Sequence, residues 1–408
     1  MSPLATGPWW KEPTREHWTA FFAAWFGWVL DAFDFTVFLL VMPDLMKAFG
    51  ASKTTTAGSI ALTLLVRLAG GVLGGAAADR WGRKLPLLVA ILWFAACDAA
   101  VAFAPTFSAV VVLRTLFGFG MGAQWTAGAT LAMERWPARS RGLASGVLQG
   151  SWAIGYLLAG AAAAWIVPVH GWRALFLVAA APALLAFPIV LAVREPRRER
   201  EAGAPSPGFR ALVTRPNVLK HLAWGTAVLA SSFGAYYGLS ALYATLLTQE
   251  FHFPLADVSM HVALFNVGMM VGAIGCGLSA ARWGVAPALI VPSLAMVLAA
   301  PLYVGAVPGL LALGAFLGGL FGAGTSGTTP LLLTSLFPEP VRARGLGIVY
   351  QLGAAPAAFV PMGIAALVEH AGLPLPRAMG GVVVGCALVL ALLVGLGPQS
   401  ARDAIPRA

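Results

Sequence analysis

The sequence predicts an all-α polytopic membrane protein with twelve transmembrane helices in two pseudo-symmetric six-helix bundles. Of its 408 residues, 59% are hydrophobic and only 10% are charged. Long apolar runs recur along the chain, and two loop motifs occur once in each half. Because soluble domains carry about 25% charged residues, a soluble globular fold is excluded.

The twelve apolar runs, called spans 1 to 12 below, are each long enough to cross a bilayer, which takes about 20 residues. They cover residues 18–43, 55–78, 85–104, 107–133, 140–167, 172–193, 218–248, 257–281, 286–306, 308–336, 343–369 and 375–396. Between spans 6 and 7 lies a polar stretch rich in charge and then in Gly, Pro and Ser. We therefore expect a bundle over 1–193, a cytoplasmic linker over 194–217 and a second bundle over 218–408.

The net charge of +10 reflects membrane topology rather than nucleic-acid binding. Most of the 26 Lys and Arg residues lie in alternate loops and at the two termini. This positive-inside pattern predicts a multi-pass protein of the cell (inner) membrane with both termini in the cytoplasm. The three cysteines lie in apolar runs, and no metal cluster or cofactor motif is visible. We expect no disulfide framework, no metal, no cofactor and a monomer in the lipid bilayer.

Two motifs repeat between the halves. Asp79-Arg80-Trp81-Gly82-Arg83 follows span 2, and Ala281-Arg282-Trp283-Gly284 follows span 8. Likewise 137–142 follows span 4 and 340–345 follows span 10, at nearly the same separation. A six-plus-six repeat is typical of transporters whose halves rock around a central site.

Apart from the charged residues at the membrane edges, five charges lie within the spans, and all five are in the first half: Asp31, Asp34, Arg67, Asp98 and Arg114. A charge at the bilayer centre costs about 2.5–3.5 kcal/mol on insertion scales, so it normally faces a cavity or a partner. One interpretation is a set of structural contacts between helices. The other, which we favour, is that the first half carries the ionic chemistry and the second half shapes the pocket.

Arg67 lies near the middle of span 2. Its planar guanidinium can bind a carboxylate with two parallel hydrogen bonds, so we predict that it anchors an anionic substrate. The competing interpretation pairs it with Asp98, at a similar depth in span 3.

The loop after span 2, together with Arg114-Thr-Leu-Phe-Gly118-Phe-Gly120-Met-Gly122, resembles the signatures of the major facilitator superfamily. Within it, 30–35, 62–71 and 121–156 resemble the sialate:proton symporter family, which includes bacterial sialic acid symporters and fungal lactate/pyruvate permeases. Two departures leave the substrate open. Gln124 stands where the sialic acid symporters carry a glutamate, and span 7 lacks the signature of the lactate permeases.

This resemblance implies that Asp34 accepts the proton and that Arg114, placed at a matching depth, modulates it. Asp31 shares a helix face with Asp34 and either tunes it or meets the substrate. A static ion pair between Asp34 and Arg114 is the alternative. The same resemblance places further candidates for substrate binding on cavity-lining spans: Gln124, Trp125, Gln149, Tyr236, Tyr237, Asn266, Tyr350 and Gln351. Each of them is also compatible with a helix–helix contact.

The first loop motif is predicted to hold the cytoplasmic ends of the halves together, with gating residues Asp79, Arg80, Gly82, Arg83 and Arg139. Gly82 permits a tight turn, and Asp79 can meet a helix N-terminus or Arg139. The second copy has Ala281 in place of the acid, which weakens it.

We therefore expect a proton-coupled symporter that imports a small organic anion by alternating access. The bacterial sialic acid symporters that the chain resembles carry two extra central helices, whereas twelve spans account for this sequence, so lactate or pyruvate is favoured over sialic acid. The alternatives are an aromatic-acid or sialic-acid symporter and, from another class, a non-transporting membrane sensor. An enzyme is not expected. Gly324-Thr-Ser326-Gly327 matches an intramembrane protease motif, but His370 is predicted at the opposite membrane face, so close helix packing explains it better.

Overall fold

The computed structural model describes residues 8–51, 53–134, 136–181, 183–184, 190–194, 216–338 and 341–397. This part of the chain is helical and contains no strand. Ten of its helical stretches are long and apolar enough to cross a membrane. One of the ten, Ala138–Ala180, contains span 5 and the first part of span 6, and span 7 adds a further helix, so the predicted twelve-helix architecture is confirmed. The linker falls largely on 195–215, outside the described residues.

Spans 1 to 4 are separate helices: Arg15–Leu40, Lys53–Trp81, Lys84–Val101 and Phe107–Met133. Span 1 begins at a capping box, in which the Thr14 hydroxyl accepts from the His17 amide and the His17 ring accepts from the Thr14 amide. A short helix, Met42–Phe49, links span 1 to span 2 and ends at the left-handed residue Gly50.

Spans 5 and 6 form one helical segment, Arg141–Ala180, that is broken at Gly171. Gly171 has φ 73° and ψ 172°, a conformation that is essentially restricted to glycine. Pro168 precedes the break within one helical turn and removes a backbone donor there. The boundary predicted between these two spans is thus a sharp bend at this glycine.

The second half repeats the pattern with more interruptions. Span 7 is Pro216–Ser240, continued by Tyr243–Gln249, and spans 8 and 9 are Leu255–Trp283 and Val285–Tyr303. Span 10 comprises Leu311–Leu317, a π-helical turn at Gly318–Ala323, a 3-10 stretch at Gly324–Thr328 and Thr329–Leu336. Spans 11 and 12 are Arg342–Ala357 with Val360–Ala371, and Leu375–Gly395.

The two copies of the loop motif have the same geometry. Gly82 and Gly284 adopt φ of 94° and 91°, and the guanidinium that precedes each lies 5.4 Å from the ring of the neighbouring tryptophan. The duplicated sequence therefore folds as a duplicated turn, which confirms the two-bundle fold.

The Gly-x-Ser-Gly stretch lies in the irregular part of span 10, against span 8. A Cβ added at Gly324 would meet the backbone of Gly272, and one at Gly327 would meet the carbonyl of Ala273. The two glycines thus allow close backbone approach, as the packing interpretation predicts.

Candidate functional site

The two halves pack tightly at the end that carries the loop motifs, here called the loop-motif face. Spans 5 and 8 are in backbone contact there, since a Cβ at Gly142 would meet the carbonyl oxygen of Gly277 and the reverse also holds. Span 2 approaches span 11 in the same way, with Gly75 against Ala343. This end of the molecule is closed.

Polar contacts cross the same face. The Asp79 carboxylate accepts from the backbone N–H of Arg344 at 3.0 Å, in the first turn of span 11, so this acid meets a helix N-terminus of the other half. Glu134 pairs with Arg83 of its own half at 2.9 Å and with Arg342 of the other half at 3.3 Å. Arg139, the other partner considered for Asp79, pairs with Glu12 at 2.9 Å.

The opposite ends of the halves enclose a cavity of about 550 Å³. Its walls come from spans 1, 5, 7 and 8 and include Thr36, Tyr156, Tyr236, Tyr243, Ser259 and Asn266. Tyr236 also lines the centre of the molecule, where its hydroxyl accepts from the indole N–H of Trp152 at 3.2 Å. This bond between the halves separates the outer cavity from the centre.

A smaller cavity of about 40 Å³ lies at the centre. The first half contributes Trp28, Arg67, Gln149 and Trp152, and the second half contributes Leu229, Ser232, Phe233, Tyr236, Tyr237, Met269, Ala323, Ser326, Thr329 and Tyr350. Ligand pockets usually measure about 300–1,000 Å³, so this cavity must widen to admit an organic anion.

Arg67 is the one guanidinium among the described residues that line this centre, and it is 4% exposed. Its Cζ lies 5.9 Å from the Trp28 ring and 5.4 Å from the Tyr350 ring, within cation–π range. Its Nε and Nη2 atoms have no hydrogen-bond partner in the described structure. The guanidinium is thus held by aromatic faces with two donors left for a ligand.

Five of the nine predicted substrate residues line the centre: Arg67, Gln149, Tyr236, Tyr237 and Tyr350. The other four lie elsewhere. Trp125 stacks behind Tyr350, and Asn266 lines the outer cavity and donates to the Val262 carbonyl at 2.9 Å. Gln124 lies against Gly27 of span 1, and Gln351 lies against Gly71 of span 2.

The predicted pairing of Arg114 with Asp34 is not the one that the structure contains. Arg114 donates through Nη1 to Oδ1 of Asp98 at 2.6 Å, and both side chains are fully buried. Asp98 therefore does not pair with Arg67, the competing expectation. Because span 3 packs along span 4, its inner face presents Asp98 directly to Arg114.

The two aspartates of span 1 are buried without hydrogen bonds. Asp31 and Asp34 are both 0% exposed, and none of their four carboxylate oxygens has a partner in the described structure. Asp31 lies within electrostatic reach of Arg67 and Arg114, and Asp34 within reach of Asp98, Arg114 and Asp31. Three carboxyls and two guanidiniums thus share one buried region.

Trp28, Phe233 and Ser326 line the centre but were not among the predicted site residues. Aromatic and small residues are common on every face of a membrane helix, so composition does not single them out. For Trp28 a signal existed, since it precedes Asp31 by three residues and so shares its helix face.

A family model described as the Major Facilitator Superfamily matches residues 24–299, and one described as Sugar (and other) transporter matches 224–402. The chain belongs to the major facilitator superfamily. The resemblance noted in the sequence is thereby confirmed, and the family is one of transporters rather than enzymes.

Curated relatives extend over most of the chain. A probable 4-methylmuconolactone transporter of Cupriavidus pinatubonensis is 30% identical over 91% of this chain and 88% of its own. The sialic acid transporter NanX of Escherichia coli is 26% identical over 95% and 96%. A gallate transporter of Pseudomonas putida is 28% identical over 61% and 62%.

Solved transporters share the fold. The proton:xylose symporter XylE superposes with a TM-score of 0.74 at 19% identity, covering 92% of this chain and 94% of that one. At this identity the likeness concerns the fold alone.

Proposed function

We propose that this transporter carries aromatic and ring-derived carboxylates together with protons. The observation that carries the proposal is Arg67, whose guanidinium lies within cation–π range of two aromatic rings and has donors without a partner in the described structure. A carboxylate is the natural partner for such donors, since it accepts two parallel hydrogen bonds from a guanidinium.

The walls around Arg67 favour a ring over a short aliphatic acid. Trp28, Trp152, Tyr236, Tyr237 and Tyr350 surround the central cavity. Aromatic rings attract one another in stacked or edge-to-face pairs worth about 0.5–1.5 kcal/mol beyond burial. Lactate and pyruvate offer no such surface, so the sequence-based preference for them gives way to the aromatic-acid alternative. The relatives described as a probable 4-methylmuconolactone transporter and as a gallate transporter support the same choice.

The balance of buried charges supports transport of a proton together with the anion. Asp31, Asp34 and Asp98 face only Arg67 and Arg114 in the buried region, so one carboxyl must hold a proton for the charges to cancel. A bound monoanion adds one negative charge and calls for one further proton. Leaving charges uncompensated in the membrane interior costs several kcal/mol each. Binding of the anion is thereby linked to proton uptake. Asp34 is the proposed carrier of the proton that is held before the anion binds, so the further proton goes to another acid of this buried region.

With the charge-based topology, the closed loop-motif face and the outer cavity fit a state that is open away from the cytoplasm. We propose a bacterial inner-membrane location, cytoplasmic termini and a monomer. In this state the substrate enters past Tyr236, and the contacts of Asp79 and Glu134 keep the cytoplasmic side shut.

Uptake by proteoliposomes tests the proposal. Radiolabelled gallate, 4-hydroxybenzoate, sialic acid and lactate are compared with and without an inward proton gradient. We expect gradient-driven accumulation of the aromatic acids and little of lactate. If lactate or sialic acid is accumulated in preference, the aromatic proposal is wrong, and accumulation of none of these acids removes carboxylate symport itself.

A further inference from the structure

The proposed function counts the charge of Asp98 but gives it no role of its own, yet Asp98 makes the one ion pair that is fully buried on both sides among the described residues. It lies on span 3, away from the residues that line the central cavity. A buried ion pair that is only structural can often be replaced, both partners together, by apolar side chains without loss of stability, so the pair alone is weak evidence for a stabilising role.

Arg114 has more donors than Asp98 uses. Nη1 bonds Oδ1 of Asp98, while Nε and Nη2 have no partner in the described structure. Its guanidinium otherwise contacts the rings of Phe117, at 3.9 Å from the centroid, and of Phe38, at 4.6 Å. These rings do not accept conventional hydrogen bonds from its N–H groups, so Nε and Nη2 remain available to a second carboxylate.

Asp34 is the matching acceptor. Both of its oxygens lack a partner, and Asp98 and Arg114 are the two groups whose charges act on it most strongly. The Arg114 guanidinium thus acts electrostatically on Asp98, Asp34 and Asp31, and of these three carboxyls only Asp98 is bonded to it in the described structure.

We infer that Asp98 is a second proton-binding site and that Asp98 and Asp34 alternate as the hydrogen-bond partner of Arg114. In the described state Asp98 is ionised and bonded to Arg114, and Asp34 holds the proton. When that proton leaves, the Asp34 carboxylate takes Arg114 and the bond from Arg114 to Asp98 breaks. Asp98 then binds one proton. One proton is released and one is bound, so the buried charge stays constant.

The inference rests on the proposed proton coupling and extends it to span 3. Three other charged or titratable groups lie near this pair. The charge of Asp31 acts on Asp34, and the charge of Arg67 acts on Asp31. The third group is the thiol of Cys97, beside Asp98. The exchange keeps Arg67 out of the proton step, so it remains available to the substrate.

Thermal unfolding of detergent-solubilised variants tests the exchange without any substrate. With Asp34→Asn or Asp98→Asn alone, Arg114 retains one carboxylate, so we expect each to lower Tm by no more than about 3 °C, while the double variant loses about 10 °C or fails to fold. If Asp98→Asn alone is as damaging as the double variant, Arg114 has a single partner and the exchange is refuted.

A second measurement follows the conformation. Maleimide labelling of Ser259→Cys, at the exposed wall of the outer cavity, is recorded between pH 5 and pH 9. We expect the pH midpoint of the labelling rate to move in Asp98→Asn and to return in Asp98→Glu. An unchanged midpoint overturns the second proton site even if symport is demonstrated. A shifted midpoint without accumulation of any carboxylate supports the site while the proposed function fails.

Discussion

The indole of Trp125 lies flat against the ring of Tyr350, with centroids 3.4 Å apart and planes 25° apart. The two residues come from spans 4 and 11, so the stack joins the halves. Tyr350 lines the central cavity and lies beneath the Arg67 guanidinium, whereas Trp125 does not line it. Trp125 therefore acts on the site through the position of Tyr350.

Removing this stack is expected to weaken the binding of aromatic acids. In Trp125→Leu the Tyr350 ring loses its support, and the loss of a pair worth about 0.5–1.5 kcal/mol corresponds to a twofold to tenfold higher KM for gallate. Trp165→Leu is the matched control, since Trp165 is 84% exposed. The positioning role is contradicted if both variants transport gallate with the KM of the parent.

Replacing Arg67 by lysine is expected to weaken substrate binding strongly. Lysine keeps the charge but not the planar fork, and hydrogen bonds to charged groups are worth about 1.5–3 kcal/mol, so we expect roughly tenfold to hundredfold weaker binding. Calorimetric titration with gallate measures it. Arg173→Lys, outside the described site residues, serves as control, and an unchanged affinity in Arg67→Lys removes Arg67 from the substrate site.

Asparagine at position 34 is expected to separate proton coupling from substrate exchange. Asp34→Asn leaves a neutral side chain of the same shape that cannot release a proton. Gradient-driven accumulation should be lost, while counterflow exchange between equal internal and external pools persists. Equal loss of both activities points to a structural role for Asp34 instead.

Much of this architecture is predictable from sequence because it depends on local signals. The thickness of the bilayer determines the length of each span, and the glycines of the loop motif determine two turns. The short stretch predicted between span 5 and span 6, just before Trp172, contains the bend at Gly171. The partner of Arg114 is different. Depth along a helix follows from residue counting, but the direction of a side chain around its axis depends on packing between spans. Residue counting matches Arg114 to Asp34 in depth and Asp98 to Arg67, whereas the packing of span 3 on span 4 pairs Arg114 with Asp98.

Loss of the Asp79 charge is expected to loosen the closed face. Asp79 bonds the amide of Arg344 in the first turn of span 11, where a negative charge near a helix N-terminus is worth about 0.3–2 kcal/mol. In Asp79→Asn we therefore expect the outward-open population to fall by a few-fold, seen as slower maleimide labelling of Ser259→Cys. Faster labelling contradicts the proposed role of this contact.

The contact between Gly142 and Gly277 offers the sharpest test of alternating access. A side chain at position 277 would meet the Gly142 carbonyl oxygen and the backbone of Gly146 in the closed face. These backbone atoms cannot move aside as a flexible side chain could. Gly277→Val should therefore disfavour the described state, slow the labelling of Ser259→Cys and lower gallate uptake by roughly fivefold to a hundredfold, since overpacking of this kind costs about 1–3 kcal/mol. Gly275→Val is the matched control, because a Cβ there meets no atom within 4 Å on the same helix. The intrinsic cost of valine in a helix is the same in both variants, so only the difference between them reports on closure. If both variants lose uptake equally, the effect lies in the helix itself, and the proposed closure of spans 5 and 8 during transport is wrong.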